Sequence, residues 1–130
     1  MKVLIVDDDR LCATLSEVMV GEIGARVSGV ARCAATALEQ ARADPPDLVL
    51  MDMNLGRGPR QGIEVARRIS AGRSCKVVFL TGYQADGALS QAVEAAVPGA
   101  RLLEKPVSFA QFRAALTDWP GHAAHPKLEA

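Results

Sequence analysis

The sequence predicts one α/β domain built on a doubly wound parallel sheet. Five short apolar runs alternate with five stretches of helical periodicity along the 130 residues. The first, third and fourth runs, residues 3–6, 48–51 and 76–80, are continuous rather than alternating, as expected for strands buried on both faces of a parallel sheet. The chain is 49% hydrophobic, which is enough for one core at this length. Five strand and helix pairs favour the flavodoxin-like strand order 2-1-3-4-5.

The two remaining strands are weaker, at residues 27–30 and 101–103. Between the first two strands, residues 11–23 predict a helix, with Asp9 as its N-cap and Gly24 near its end. Large apolar side chains recur in it at offsets of three and four, which predicts that they form the buried face. These residues are Leu11, Leu15, Val18, Met19 and Ile23.

The other helices are predicted from their breakers and caps. An Ala-rich helix covers residues 33–43 and stops before two prolines, and further helices cover residues 62–69 and 87–96. The last helix opens with Ser108 followed three residues later by Gln111, a capping-box pattern. Its apolar stripe is Phe109, Phe112 and Leu116. We therefore expect a domain at residues 1–117 and a flexible tail at residues 118–130, in which His122 and His125 are exposed.

Charge and cysteine content exclude several classes of protein. The formal net charge is zero, which argues against a nucleic-acid-binding module. The only basic cluster, interpreted as a solvated face, is Arg57, Arg60, Arg67, Arg68 and Arg73. The three cysteines, Cys12, Cys33 and Cys75, have neither disulfide nor zinc-site spacing, so we expect small buried residues in a reducing compartment. The first apolar run is too short for a signal peptide or a membrane span, and we expect a cytoplasmic protein.

Residues that could carry chemistry follow the predicted strands. In doubly wound folds the ligand site lies outside the carboxyl ends of the strands. The first strand ends in Asp7 and Asp8, the third in Asp52, the fourth in Thr81, and the fifth in Glu104-Lys105. Because the first and third strands are neighbours in the expected order, their carboxylates should converge.

Converging carboxylates repel one another unless their charge is neutralised. A hard divalent cation does this, and an all-oxygen ligand set favours Mg²⁺. The ammonium of Lys105 and the hydroxyl of Thr81 would face the same point and form a pocket for a phosphoryl group. A carboxylate can itself be the nucleophile, giving an aspartyl-phosphate, and Asp52 on the central strand is the best candidate.

Over residues 1–117 the chain resembles the receiver domain of two-component response regulators. The matching motifs are Ile5-Val6-Asp7-Asp8, the run 46–52 ending in Asp52 with Gly62 ten residues on, Phe79-Leu80-Thr81, and Lys105-Pro106. Each motif alone is weak, but their order and spacing together are specific.

The resemblance implies a role for each matching residue. Asp7 and Asp8 would hold Mg²⁺ together with Asp52 and the backbone carbonyl of Asn54. Asp52 would accept a phosphoryl group from a sensor histidine kinase or a histidine phosphotransfer protein. Thr81 would be the switch hydroxyl and Lys105 the phosphate-contacting lysine, with a cis Lys105-Pro106 bond.

The chain departs from the family pattern at two places. Three residues before the lysine, where the family usually has Tyr or Phe, it has Leu102, so the aromatic switch is missing. The run from Phe79 through Thr81 and Gly82 to Tyr83 is similar to a subgroup of stand-alone receivers with a Phe-x-Thr-Gly-Tyr motif. These features predict a single-domain regulator that signals by conformational change or drains phosphoryl groups. We separately expect a monomer or a weak homodimer.

Three other functions stay open at this point. A magnesium phosphohydrolase that uses an aspartyl-phosphate would want a second acid at residue 54, where this chain has Asn54. A nucleotide-binding module is disfavoured because no phosphate-binding glycine motif lies at a strand-helix turn. A receiver that serves only as a docking surface would not need the intact acceptor residues. We therefore expect no enzyme acting on an outside substrate, only self-catalysed phosphotransfer and autodephosphorylation.

Overall fold

The structure is a computed structural model that describes residues 1–56, 59–82 and 87–118. Strands and helices alternate throughout these residues. The strands are β1 (Lys2–Val6), β2 (Arg26–Ala31), β3 (Leu48–Asp52), β4 (Lys76–Thr81) and β5 (Arg101–Glu104). The helices are α1 (Arg10–Glu22), α2 (Ala34–Ala43), α3 (Pro59–Ser70), α4 (Gly87–Ala96) and α5 (Phe109–Thr117).

All four strand pairings are parallel, and the sheet order is β2-β1-β3-β4-β5, as predicted. The central strand β3 pairs with β1 on one side and with β4 on the other. In register, Val6 lies opposite Met51, and Asp52 lies opposite Leu80. The carboxyl ends of the three central strands therefore meet at one edge of the sheet.

The sheet separates two hydrophobic layers. Along β1, Leu4 and Val6 face the layer under α2, α3 and α4. The alternate residues Val3 and Ile5 face the layer under α1 and α5, whose largest buried side chain is Phe112. Because β3 is buried along its whole length, its continuous apolar sequence matches its central position.

Helix bounds differ slightly from the predicted ones. Helix α3 begins at Pro59, three residues before the predicted start at Gly62. This is a favourable first position for proline, since its missing N–H would have no partner there. Cys33 is the N-cap of α2 rather than its first residue. Helix α1 ends as predicted, with Gly24 in the left-handed region at φ 82°.

The predicted buried face of α1 was wrong. Leu11 is 77% exposed, and Leu15 and Val18 are each 56% exposed. The residues that α1 buries are Ala13, Ser16 and Val20, whereas Met19 and Ile23 pack partly against the core. Small residues therefore bring α1 close to the sheet, and a stripe of large apolar side chains faces outward.

Helix α5 has the predicted capping box. Ser108 Oγ accepts a hydrogen bond from the backbone N–H of Gln111, and Gln111 Oε1 accepts one from the backbone N–H of Ser108. Phe112 and Leu116 are buried as predicted, but Phe109 is 40% exposed. Its assignment to the buried stripe was wrong, because it occupies the first turn beside the cap.

Two surface predictions have different outcomes. The cysteines are not buried, since Cys33 is exposed and Cys12 and Cys75 are only partly covered. The basic residues Arg60, Arg67, Arg68 and Arg73 form a solvated face, as predicted. Arg57, Tyr83 and the tail histidines lie outside the described residues. Within the part of the chain that the structure describes, no helix has the length and apolarity to cross a bilayer.

Candidate phosphoryl-acceptor site

The segment after β1 brings two acids to the edge of the sheet. Asp7 is 2% exposed, and its backbone N–H donates to the carbonyl of Ala31 across a distance of 3.0 Å. Asp8 is exposed. Asp9 is the N-cap of α1, as predicted, and its carboxylate accepts from the backbone N–H groups of Leu11 and Cys12.

Asp52 is the last residue of β3 and is 3% exposed. Its Oδ1 accepts a hydrogen bond of 3.1 Å from the backbone N–H of Asn54. Asp7 is held in the same way, because its Oδ1 accepts one of 2.9 Å from the backbone N–H of Asp9. Each buried carboxylate is thus oriented by the N–H two residues further on, as in an Asx-turn.

Sequence reasoning had missed these two orienting contacts. It assigned Asp9 only as a helix cap and Asn54 only through its carbonyl. The signal that could have identified them is the Asx pattern, in which an Asp at the end of a strand accepts a hydrogen bond from the backbone N–H two residues further on. Each contact orients its carboxylate through a single oxygen, Oδ1.

The three predicted acids lie together. Asp7, Asp8 and Asp52 each offer a carboxylate oxygen, and these oxygens all lie within 4.8 Å of one another. Two of the three side chains are buried, and buried like charges at this separation need a counter-charge. The oxygen-only set and the open side at Asp8 fit a hard divalent cation that keeps some of its water.

Lys105 reaches this cluster from β5. Its backbone N–H donates to the carbonyl of Thr81 across 2.7 Å, and the Lys105-Pro106 bond is cis, as predicted. Its Nζ lies 3.5 Å from Asp52 Oδ1. This distance is too long for a strong hydrogen bond, so the contact is an ion pair. The ammonium is therefore close to the Asp52 carboxylate but is not bound to it by a strong hydrogen bond.

Electrostatics couple the members of the cluster. Burial, together with the charge of the neighbouring Asp52, raises the pKa of Asp7 to about 7. Burial alone would lower the pKa of Lys105, but the Asp52 and Asp7 carboxylates raise it above its ordinary value. Lys105 therefore stays protonated near neutral pH, whereas Asp7 holds its proton up to neutrality when no metal is bound.

Thr81 ends β4 and is fully buried. It follows Leu80, the register partner of Asp52, so its hydroxyl lies on the strand next to the acceptor. Gly82 is exposed. Leu102, at the position where an aromatic was expected from the resemblance, lies opposite Phe79 and packs against the buried cluster under α4.

A protein-family model described as the response regulator receiver domain matches residues 3–117. The transcriptional regulatory protein PdtaR of Mycobacterium tuberculosis is 35% identical over 82 residues, which are 63% of this chain and 39% of PdtaR. ComA of Bacillus subtilis, also a transcriptional regulatory protein, is 38% identical over 55 residues, 42% of this chain and 25% of ComA. The matches thus span well under half of these curated relatives.

Solved structures agree with the fold. The signal receiver domain of a modulated diguanylate cyclase from Desulfovibrio desulfuricans is 30% identical with a TM-score of 0.77, covering 99% of this chain and 98% of that domain. The receiver domain of the PhyR response regulator from Erythrobacter litoralis is 26% identical with a TM-score of 0.75, covering 90% and 87%. With the sheet order and the acidic edge already described, these matches show that the chain belongs to the response regulator receiver domain family.

Proposed function

We propose that the chain accepts a phosphoryl group on Asp52 from the phosphohistidine of a sensor histidine kinase or a histidine phosphotransfer protein. The carrying observation is the convergence of three carboxylates within 4.8 Å, with the Lys105 ammonium 3.5 Å from Asp52. Family membership gives the chain a phosphoacceptor signalling role, and the geometry supports Asp52 as the acceptor. The transfer would take place in the cytoplasm, where the donor can be phosphorylated by ATP.

The acceptor residues have separate tasks in this proposal. Asp7, Asp8, Asp52 and the backbone carbonyl of Asn54 would hold Mg²⁺, which when bound neutralises charge on the transferring group. A carboxylate oxygen of Asp52 forms a bond to phosphorus as the phosphorus–nitrogen bond of the donor breaks. The electron pair of the broken bond returns to the imidazole nitrogen of the donor histidine.

The side chains opposite the metal stabilise the transferring group. The Lys105 ammonium balances charge on the phosphoryl oxygens, and the Thr81 hydroxyl donates to one of them. Hydrolysis of the acyl phosphate by water restores the Asp52 carboxylate. We propose that this self-catalysed cycle is the chain's only chemistry and that it has no outside substrate.

The outward stripe of α1 supports a docking site for the donor. Leu11, Leu15 and Val18 are exposed at offsets of four and three, the spacing of one helix face. Leu11 lies two residues after the cap Asp9, so the stripe begins beside the mouth of the site. A donor must bring its phosphohistidine into contact with Asp52, and this stripe offers it an adjacent apolar surface.

Intact-mass measurement after incubation with acetyl phosphate tests the acceptor assignment. With Mg²⁺ we expect an added phosphoryl group on the wild type and none on Asp52→Asn, and a chelator should abolish the adduct. An adduct of equal yield on Asp52→Asn would refute the assignment. A folded wild type that binds Mg²⁺ but never gains an adduct would instead favour a receiver that works only by docking.

The docking surface has its own test. A panel of autophosphorylated histidine kinases can be screened for the fastest transfer, and Leu15→Glu then compared with the wild type. We expect slower transfer from the kinase and an unchanged rate from acetyl phosphate, because the substitution leaves the acceptor residues intact. Equal kinase rates for both proteins would contradict this surface.

A magnesium phosphohydrolase remains the second candidate, since it would use the same acids. Turnover of p-nitrophenyl phosphate at a rate abolished by Asp52→Asn would favour it. That chemistry needs a second acid at residue 54, and this chain has the amide Asn54 there. This difference supports the receiver instead.

We further propose that the chain acts as a stand-alone receiver of the Phe-x-Thr-Gly-Tyr kind, signalling through a partner or draining phosphoryl groups from a kinase. Leu102 supports this, because an aliphatic side chain that packs against the core takes the place of the aromatic residue that would swing inward. The signal would then leave through the segment after Thr81 and helix α4. Amide exchange of residues 87–96 with and without beryllofluoride tests the route, and unchanged protection would refute it.

A further inference from the structure

The first turn of α3 crosses directly over the backbone that follows Asp52. Gly62 is buried there. A Cβ atom at this position would lie 2.9 Å from the carbonyl oxygen of Asp52 and 3.1 Å from both the Cα and the carbonyl oxygen of Met53. All three atoms belong to the backbone, so none can swing aside as the end of a flexible side chain could.

Neither side of this contact has room to move. The backbone N–H of Met53 donates to the carbonyl of Leu80 across 2.8 Å, which ties the turn to β4. The side chains of Met53 and Leu55 are fully buried. On the helix side, Val65 and Ala66 are embedded in the core. A side chain at residue 62 would therefore displace either the turn or the first turn of α3.

The same helical turn also covers the far end of the loop that follows Asp52, residues 53–56. Gly56 has a φ of 72°, in the left-handed region that favours glycine. A Cβ atom on Gly56 would overlap the side-chain amide of Gln61. Residues 53–56 are thus enclosed by Gly62 at one end and by Gln61 at the other.

We propose that Gly62 is a positioning residue for phosphoryl acceptance, because its missing side chain lets α3 hold the turn that carries Asp52 and Asn54. The inference rests on the proposed function, in which the Asn54 carbonyl and the Asp52 carboxylate bind the metal. Gly62 touches neither metal nor phosphate and acts through the backbone of residues 52–54.

The decisive variant is Gly62→Ala, with Gly21→Ala as its matched control. Both change a helical glycine by one methyl group, but a Cβ at Gly21 in α1 would meet no atom within 4 Å. We expect Gly62→Ala to weaken Mg²⁺ binding and to slow adduct formation from acetyl phosphate by about tenfold or more, because displacements near 1 Å are costly at reacting centres. Gly21→Ala should match the wild type in both.

Calorimetric titration of Mg²⁺ and the rate of mass gain are measured under conditions where circular dichroism shows every protein folded. A loss that persists in the folded variant separates positioning from stability. Wild-type affinity and rate in a folded Gly62→Ala would overturn the inference.

If Gly62→Ala is unfolded in buffer alone, the same titrations are made with trimethylamine N-oxide, an osmolyte that favours the compact state. Weaker Mg²⁺ binding than in Gly21→Ala under the same conditions would support the inference, whereas equal binding would overturn it. A wild type that neither binds Mg²⁺ nor gains an adduct would overturn the proposed function itself, and the inference with it.

Discussion

Magnesium binding should depend steeply on pH below neutrality because of Asp7. Its pKa is raised to about 7 in the metal-free protein, and the carboxyl group must lose its proton to bind the metal. The apparent affinity should therefore be roughly tenfold weaker at pH 6 than at pH 8, the factor expected for one competing proton.

Isothermal titration calorimetry in two buffers of different ionisation enthalpy measures both the Mg²⁺ affinity and the number of protons that binding releases. Binding should release about half a proton per Mg²⁺ at pH 7 and about 0.9 at pH 6, because that fraction of Asp7 is protonated beforehand. Asp9→Asn is the control, since it keeps the helix cap and lies outside the acid cluster. Equal affinities at pH 6 and pH 8, with no proton released, would refute the assignment to Asp7.

The same titration has an opposite effect on stability without metal. Between its ordinary pKa of 3.8 and about 7, Asp7 is protonated in the native state but ionised in the unfolded chain. The native state then binds more protons, so the free energy of unfolding should fall as pH rises through this window. Saturating Mg²⁺ should remove the decline, and urea titrations with and without chelator would show it. A metal-free protein whose stability rises between pH 5 and pH 7 would contradict this.

Three further substitutions give separate expectations. Phe112→Ala should lower the free energy of unfolding by about 3–5 kcal/mol in urea titrations, because Phe112 is fully buried under α5; a loss under 1 kcal/mol would show that the site collapses. Ser108→Ala should cost about 1 kcal/mol, since it removes half of the capping box; unchanged stability would make the box incidental. Lys105→Ala should slow adduct formation from acetyl phosphate roughly 100-fold while tightening Mg²⁺ binding, because it removes a positive charge 3.5 Å from Asp52; weaker Mg²⁺ binding would contradict this account.

Continuous apolar runs and the alternation of strand with helix predicted the sheet and its order correctly. The reason is physical, because a strand covered on both faces favours apolar residues along most of its length. The position of each acid at a strand end followed from that topology. Side chains from segments far apart, such as Asp7 and Lys105, could thus be expected from the sequence alone to approach one another.

The buried face of α1 could not be predicted in the same way. Two stripes in that helix have the offsets of one face, the large residues Leu11, Leu15 and Val18 and the smaller Ala13, Ser16 and Val20. Periodicity shows that a stripe exists but does not choose between them. The choice depends on the close approach of α1 to the sheet, which is a property of the packed domain. The close approach of Gly62 to the backbone of Met53 also depends on the packed domain and cannot be read from the local sequence.

The parallel arrangement of the sheet has a consequence for when the chain becomes competent. Asp7, Asp52, Thr81 and Lys105 lie at the carboxyl ends of four different strands, and pairings over such sequence separations form late in folding. A copy whose β5 has not joined the sheet would have the acids but not the lysine. Under the proposed function, only completely folded molecules would then accept the phosphoryl group efficiently. Nascent or damaged copies would not compete with them for the phosphorylated kinase.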